Sequence, residues 1–111
     1  KKIFGFKNAF FTGLTTLELS NVILKVLKVK LKMGIYNVAS NKISKYELLM
    51  LINQIYDRNV KILPNSKFRI DRSLNGRKFE KNYKIKISSW EKMIKEMKID
   101  YHLNRKLYEN I

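Results

Sequence analysis

The chain has 111 residues, of which 24 are lysine or arginine and 9 are aspartate or glutamate, so its formal net charge is +15. This length suits one small domain over residues 1–111 and is too short for a two-domain cofactor enzyme. The absence of cysteine excludes disulfides, thiolate metal sites and a cysteine nucleophile. No apolar run approaches the roughly 20 residues that span a bilayer, and no stretch has the form of a signal peptide. We therefore expect a cytoplasmic protein with no membrane partner.

The first predicted helix begins at a capping box. Thr15 and Glu18 have the S/T-x-x-E spacing in which a hydroxyl and a carboxylate bind the first free amides of a helix. Apolar residues then recur at helical spacing at Leu19, Val22, Ile23, Val26 and Leu27. Gly34 is predicted to end this helix, and the β-branched and aromatic residues of 34–39 favour a strand after it.

The second predicted helix begins at the capping box of Ser44 and Glu47. Its apolar stripe comprises Leu48, Leu49, Ile52, Ile55 and Tyr56. A strand is predicted over residues 60–63, stopping at Pro64, with a third short strand or an extended segment over residues 68–71. Two strands that each follow a helix favour a parallel pair.

The third predicted helix begins at the capping box of Ser88 and Glu91 and has a shorter apolar stripe at Trp90, Met93, Ile94 and Met97. Residues 72–79 before it are predicted to form a loop or a single helical turn. The predicted fold class is thus α/β, with about three main helices and two or three short strands. The predicted order is helix, strand, helix, strand, loop, helix, without a Rossmann domain.

A complete catalytic constellation is absent from the sequence. His102 is the only histidine, and a single histidine excludes a multi-histidine metal site and a Ser-His-Asp triad with a spare base. It is predicted to be exposed in a polar C-terminal tail. Neither of the glycine-rich nucleotide-phosphate motifs is present. We therefore predict no catalytic, cofactor-binding or metal-binding residue.

Two segments are candidate anion-binding sites. Residues 70–79 contain Arg72 and Arg77, whose planar guanidinium groups suit phosphate oxygens; the alternative is a solvated turn with an Asp71–Arg72 surface pair. Residues 8–16 lead into the first helix, and a helix N-terminus with polar side chains can hold an anion. The alternative for this second segment is simple helix capping.

The positive charge suggests a nucleic acid or an anionic membrane surface as a partner. However, it comes from 19 lysines and only 5 arginines that are scattered along the chain, without a basic block for phosphate tracking. Solvated helix faces explain this pattern better, so nucleic acid is not the expected partner. A small basic nucleic-acid-binding module remains an alternative, as does a protein-interaction module that dimerises through an exposed apolar sheet face.

Five segments in this order resemble a known family. They are Gly13–Ser20, Gly34–Ser40, Ser44–Leu49, Ile70–Leu74 and Ser89–Ile94. Together they are similar to the C-terminal, substrate-binding part of dTDP-4-dehydrorhamnose reductase-like proteins, which are extended short-chain dehydrogenases/reductases acting on sugar nucleotides. The resemblance runs from about Lys7 to Met97.

The resemblance implies a fragment of an oxidoreductase. Proteins of this family hold NAD(P) and a Tyr-x-x-x-Lys pair in an N-terminal Rossmann domain. This chain matches only the smaller domain, so we expect it to bind no cofactor and to be inactive alone, with reductase and epimerase both open. The implied partners are a nucleotide-sugar and the Rossmann domain of the same enzyme, and a homodimer is left open.

The resemblance also implies which residues face the substrate. Arg72 is the first candidate for contact with the diphosphate or nucleotide, with Asn8 and Thr12 behind it. Arg77 is a further candidate, although the stretch around it departs from the family pattern.

Overall fold

This computed structural model describes residues 1–110, within which three strands and five helices form. The strands are β1 (Lys2–Phe11), β2 (Ile43–Ser44) and β3 (Lys61–Arg72). The helices are α1 (Thr16–Leu27), α2 (Lys45–Ile55), α3 (Arg77–Tyr83), α4 (Trp90–Leu103) and α5 (Arg105–Glu109). The predicted α/β class is confirmed, with more helices and longer strands than the sequence predicted.

The strands form one mixed sheet in the order β2-β1-β3. β1 runs parallel to β3 and antiparallel to the two-residue β2. The parallel register runs from the Lys2–Lys61 pair to the Phe11–Arg72 pair, with an irregularity between Phe6 and Asn8. The carboxyl ends of both long strands therefore lie side by side at one end of the sheet.

Helix α2 packs closely on one face of this sheet. A Cβ atom added to Gly5 in the middle of β1 would lie only 2.8 Å from the Cα atom of Tyr46 in α2. Because backbone atoms cannot give way as a flexible side chain can, glycine is what permits this close approach. No α2 residue is fully buried, so the helix covers the sheet with half-buried side chains.

The predicted strands are partly wrong. Residues 34–39 form no strand, and β1, which the sequence did not predict, occupies the centre of the sheet. Residues 61–63 and 68–71 of the two predicted strands belong to the single strand β3, which begins at Lys61 and continues through Pro64. β3 is an edge strand, and proline is tolerated in edge strands because one side of the strand has no neighbour that needs a hydrogen bond from the missing N–H. A parallel pair does form, but it joins β1 to β3.

The predicted helix starts are confirmed for α1 and α2. Ser44 forms a complete capping box with Glu47, and the Thr15 hydroxyl accepts a hydrogen bond from the Glu18 amide at 3.2 Å. The predicted Thr15–Glu18 capping box is otherwise wrong, because the Glu18 carboxylate accepts from the Ser88 amide instead of the Thr15 amide. Helix α1 nevertheless ends at Leu27, seven residues before the predicted Gly34 stop.

The third capping box is wrong by one residue. The N-cap of α4 is Ser89, whose hydroxyl accepts from the Lys92 amide at 3.2 Å, rather than Ser88. The predicted loop or single turn before it contains the seven-residue helix α3. Helix α4 extends to Leu103, so His102 lies in its last turn rather than in a tail, and it is exposed as predicted.

Two apolar clusters form the interior. One joins α1, α3 and the segment after α3 and comprises Val22, Phe79, Ile85 and Ile87. The other lies among the sheet, α2 and α4 and comprises Ile43, Trp90, Met93 and Ile94. The buried carboxylate of Glu18 links the α1 side to the start of α4 by accepting from the Ser88 amide at 2.9 Å.

Candidate functional site

A surface cleft of about 470 Å³ lies beyond the carboxyl ends of the two parallel strands. Its lining comes from three segments that are distant in sequence, together with parts of α3 and the segment after it. The lining residues are Thr12, Ala39, Ser40, Asn41, Lys42, Ser73, Leu74, Asn75, Gly76, Arg77, Glu80 and Ile87. Ligands of α/β sheets commonly bind at this end of the strands, so the position itself favours a binding site.

Thr12 holds the three cleft segments together. It directly follows β1 and is only 7% exposed, and its Oγ1 accepts a hydrogen bond from the Leu74 amide at 2.9 Å. Its carbonyl oxygen accepts from the Ser40 amide at 3.0 Å. The Ser40 hydroxyl in turn donates to the Gly13 carbonyl at 2.6 Å. Thr12 therefore positions the walls of the cleft.

One wall of the cleft carries an ion pair. The Lys42 ammonium lies 2.5 Å from Oδ2 of Asp71, while Oδ1 accepts from the hydroxyl and the amide of Ser73 at 2.6 and 2.9 Å. The Lys42 hydrogen bond, followed by those from Ser73, holds the pKa of Asp71 well below its usual range. The carboxylate therefore competes with any external anion for the Lys42 ammonium.

Arg77 is the second cation of the cleft and is exposed at the start of α3. None of the salt bridges formed within residues 1–110 involves it. The amide of Arg77 is fixed by the Asn75 side chain, whose Oδ1 accepts from it at 3.0 Å. Because the Arg77 side chain is exposed and forms none of these salt bridges, its guanidinium is available to an anion. The planar guanidinium can bind two oxygens of such an anion at once.

The four predicted site residues do not all lie together. Thr12 and Arg77 line the cleft, and Arg72 lines a second cleft of about 330 Å³ that shares Thr12 and Leu74 with the first. The bond between Thr12 and Leu74 thus lies on the boundary between the two clefts. Asn8 lies back along β1, among the lining residues of neither cleft.

Sequence reasoning missed the segment that forms the other wall. Ser40, Asn41 and Lys42 come before the very short strand β2, and the indole Nε1 of Trp90 fixes this segment by donating to the Asn41 carbonyl at 2.7 Å. Nothing local distinguishes Lys42 from the other lysines. Its role depends on the ion pair with Asp71, 29 residues further along the chain, so no signal in the sequence could have identified it.

The cleft contains the cations Lys42 and Arg77, which suit an anion better than an apolar ligand. The lining amides and serine hydroxyls described above already donate within the chain, so the cationic side chains carry this preference. Within the part of the chain that the structure describes, no group of three or more His, Cys, Asp or Glu side chains is placed to hold a metal ion. Nor is any helix there long and apolar enough to cross a bilayer.

Comparison with solved structures relates this architecture to a known enzyme. The chain is similar to dTDP-4-dehydrorhamnose reductase from Bacillus anthracis str. Ames, solved in complex with NADP, with a TM-score of 0.77 and 19% sequence identity. The similarity covers 90% of this chain and 38% of the reductase chain. The fold is that of part of this reductase.

The similarity is one of fold, at a sequence identity too low to carry more. No protein-family model matches the sequence, and neither does any curated protein. The chain spans well under half the length of the reductase that it resembles. The expected resemblance is thus confirmed at the level of the fold.

Proposed function

We propose that this chain is the sugar-nucleotide-binding domain of an NAD(P)-dependent oxidoreductase related to dTDP-4-dehydrorhamnose reductase. The observation that carries the proposal is the TM-score of 0.77 over 90% of this chain and only 38% of the reductase. The hydride carrier and the proton donor would come from a Rossmann domain of the same enzyme, which is the proposed partner of this chain. The NADP bound to the similar reductase supports NAD(P) as the cofactor of that other domain. Alone, the chain should bind substrate without converting it.

The proposed substrate site is the cleft at the ends of β1 and β3. Arg77 would bind two oxygens of the diphosphate through its guanidinium, because this side chain is exposed and forms no ion pair among the described residues. Lys42 would add a second contact when the substrate competes with Asp71 for its ammonium. Arg72, in the adjoining cleft, would contact another part of the nucleotide-sugar, and Thr12 would act as a positioning residue.

Thermal unfolding of the isolated chain tests this proposal. A nucleotide-sugar such as dTDP-glucose, present at a hundred times its dissociation constant, should add about 2.7 kcal/mol of stability. For a domain of this size, that corresponds to a rise in Tm on the order of 10 °C. NADPH should leave Tm unchanged, because its proposed site lies in the other domain.

A matched pair of variants ties the effect to the cleft. Arg77→Gln should lose most of the ligand-induced rise in Tm, whereas Lys86→Gln removes the same charge from an exposed position outside the cleft and should retain it. An unchanged Tm with dTDP-glucose and with UDP-glucose would contradict the proposed function. An equal loss in both variants would show that general charge, rather than the cleft, holds the ligand.

A further inference from the structure

A second surface, apart from the cleft, carries exposed aromatic residues. On the face of the sheet opposite α2, Phe4, Phe6 and Phe68 are 60%, 41% and 46% exposed. Phe6 on the central strand and Phe68 on the edge strand lie with their ring centroids 5.1 Å apart. None of the three rings lines the candidate substrate cleft. An exposed cluster of apolar rings is typical of an interaction surface.

The same face carries positive charge. The Lys2 ammonium lies 5.5 Å from the ring centroid of Phe4. Lys61 is the register partner of Lys2, and Arg69 is the register partner of Asn8, two positions beyond Phe6. Lys2 lies about 60 residues before Lys61 and Arg69 in the chain, so the three form no basic block in the sequence, and the pairing of β1 with β3 brings them together.

Negative charge is almost absent from the two strands that form this face. Asp71 is the one carboxylate in β1 and β3, and the Lys42 ammonium is bound to it at 2.5 Å. The surface is therefore a cationic one with aromatic rings between the charges.

This combination favours one kind of occupant. The buried centre of a protein–protein interface is depleted of charged residues, and lysine is under-represented in such interfaces. Single-stranded nucleic acids instead bind where cations contact phosphates and bases stack on exposed aromatic rings, as on the sheets of RNA-recognition domains. We propose that this face of the sheet, here called the Phe4–Phe6–Phe68 face, binds single-stranded nucleic acid.

Fluorescence anisotropy with a short labelled oligothymidylate tests the proposal on the full 111-residue chain. The single strand should bind more tightly than a duplex of equal length, because only unpaired bases can stack on the rings. Replacing Phe4, Phe6 and Phe68 together with alanine should weaken binding roughly tenfold or more. The matched control replaces the exposed Leu24, Leu27 and Leu31 with alanine and should leave affinity unchanged.

A charge series tests the phosphate contacts separately. Lys2→Gln, Lys61→Gln and Arg69→Gln together should make the salt dependence shallower by about 2 in the slope of log K against log salt. The control removes the same charge at the exposed Lys25, Lys30 and Lys86 and should leave the slope unchanged.

Three outcomes would overturn the proposal. The first is no binding of the single strand at low salt, and the second is equal affinity for single strand and duplex. The third is concentration-dependent dimerisation, abolished by the phenylalanine substitutions, in a chain that binds no oligonucleotide. That last result would assign the face to a second copy of the protein. Circular dichroism of each variant confirms that a lost signal does not reflect unfolding.

Discussion

Replacing Thr12 with valine tests whether one hydroxyl holds the walls of the cleft together. Valine keeps the shape of threonine, so the packing around this 7% exposed side chain should change little. The Leu74 amide, which donates to Oγ1 at 2.9 Å, would lose its acceptor in a partly buried position. A polar group left unpaired in this way costs about 1–3 kcal/mol, and partial exposure places the expected loss near the lower end, about 1–2 kcal/mol.

Equilibrium urea unfolding measures this loss directly. The midpoint should fall while the slope m stays constant, because the surface exposed on unfolding is the same in both proteins. Thr16→Val at the exposed first position of α1 is the matched control and should change stability by less than about 0.5 kcal/mol. The Leu74 amide should also exchange its hydrogen faster in Thr12→Val. A stability equal to that of the control, with slow exchange at Leu74, would refute the positioning role.

Three further predictions follow from buried and paired groups. Met93→Ala, at a fully buried position, should lose about 2–5 kcal/mol in urea unfolding, and a loss below about 1 kcal/mol would contradict the packing described. Glu18→Ala removes the acceptor of the Ser88 amide and should lower stability by about 1–3 kcal/mol, with an unchanged Tm as the contrary result. Since the pKa of Asp71 is lowered on folding, its stabilising effect is present above the ordinary carboxyl pKa of about 3.9 and is lost as pH falls through the folded value. Lys42→Gln should raise the Asp71 pKa toward the ordinary range in an NMR titration, and an unmoved pKa would argue against the ion pair.

Helix starts could be predicted because the signals are local. The hydroxyl of Thr15 and the capping box of Ser44 and Glu47 act within four residues of chain, and they form as predicted. The adjacent serines 88 and 89 show the limit of this reasoning, since both have a suitable hydroxyl. The choice of Ser89 leaves the Ser88 amide to bond with Glu18, seventy residues away.

The strands could not be predicted in the same way, because their partners are remote in sequence. β1 pairs with β3, which lies about 60 residues further along the chain, and no local sequence pattern predicts that pairing. Residues 34–39 have strand-like composition but find no partner strand, and the Ile35 carbonyl accepts from the Lys78 ammonium at 3.0 Å instead. Strand propensity indicates only that the side chains suit a sheet, and it does not show whether a neighbouring strand is available for pairing.

The residues of the candidate site also differ in whether local sequence could predict them. Arg77 and Arg72 could be predicted from the chemistry of guanidinium groups in one short loop, and the fold places them in adjoining clefts. Lys42 could not, because its importance comes from contact with Asp71, which lies 29 residues further along the chain. Asn8 was predicted to face the substrate from the segment before the first helix, but it lies within β1 and lines neither cleft.

Chemical-shift mapping of the labelled chain with dTDP-glucose and with NADPH is the most direct measurement of the substrate-domain account. With dTDP-glucose, saturable shifts are expected at Thr12, over residues 39–42 and over residues 72–77, which line the two adjoining clefts, and NADPH should cause none. An absence of shifts with dTDP-glucose would contradict the account. So would shifts that fall outside these segments.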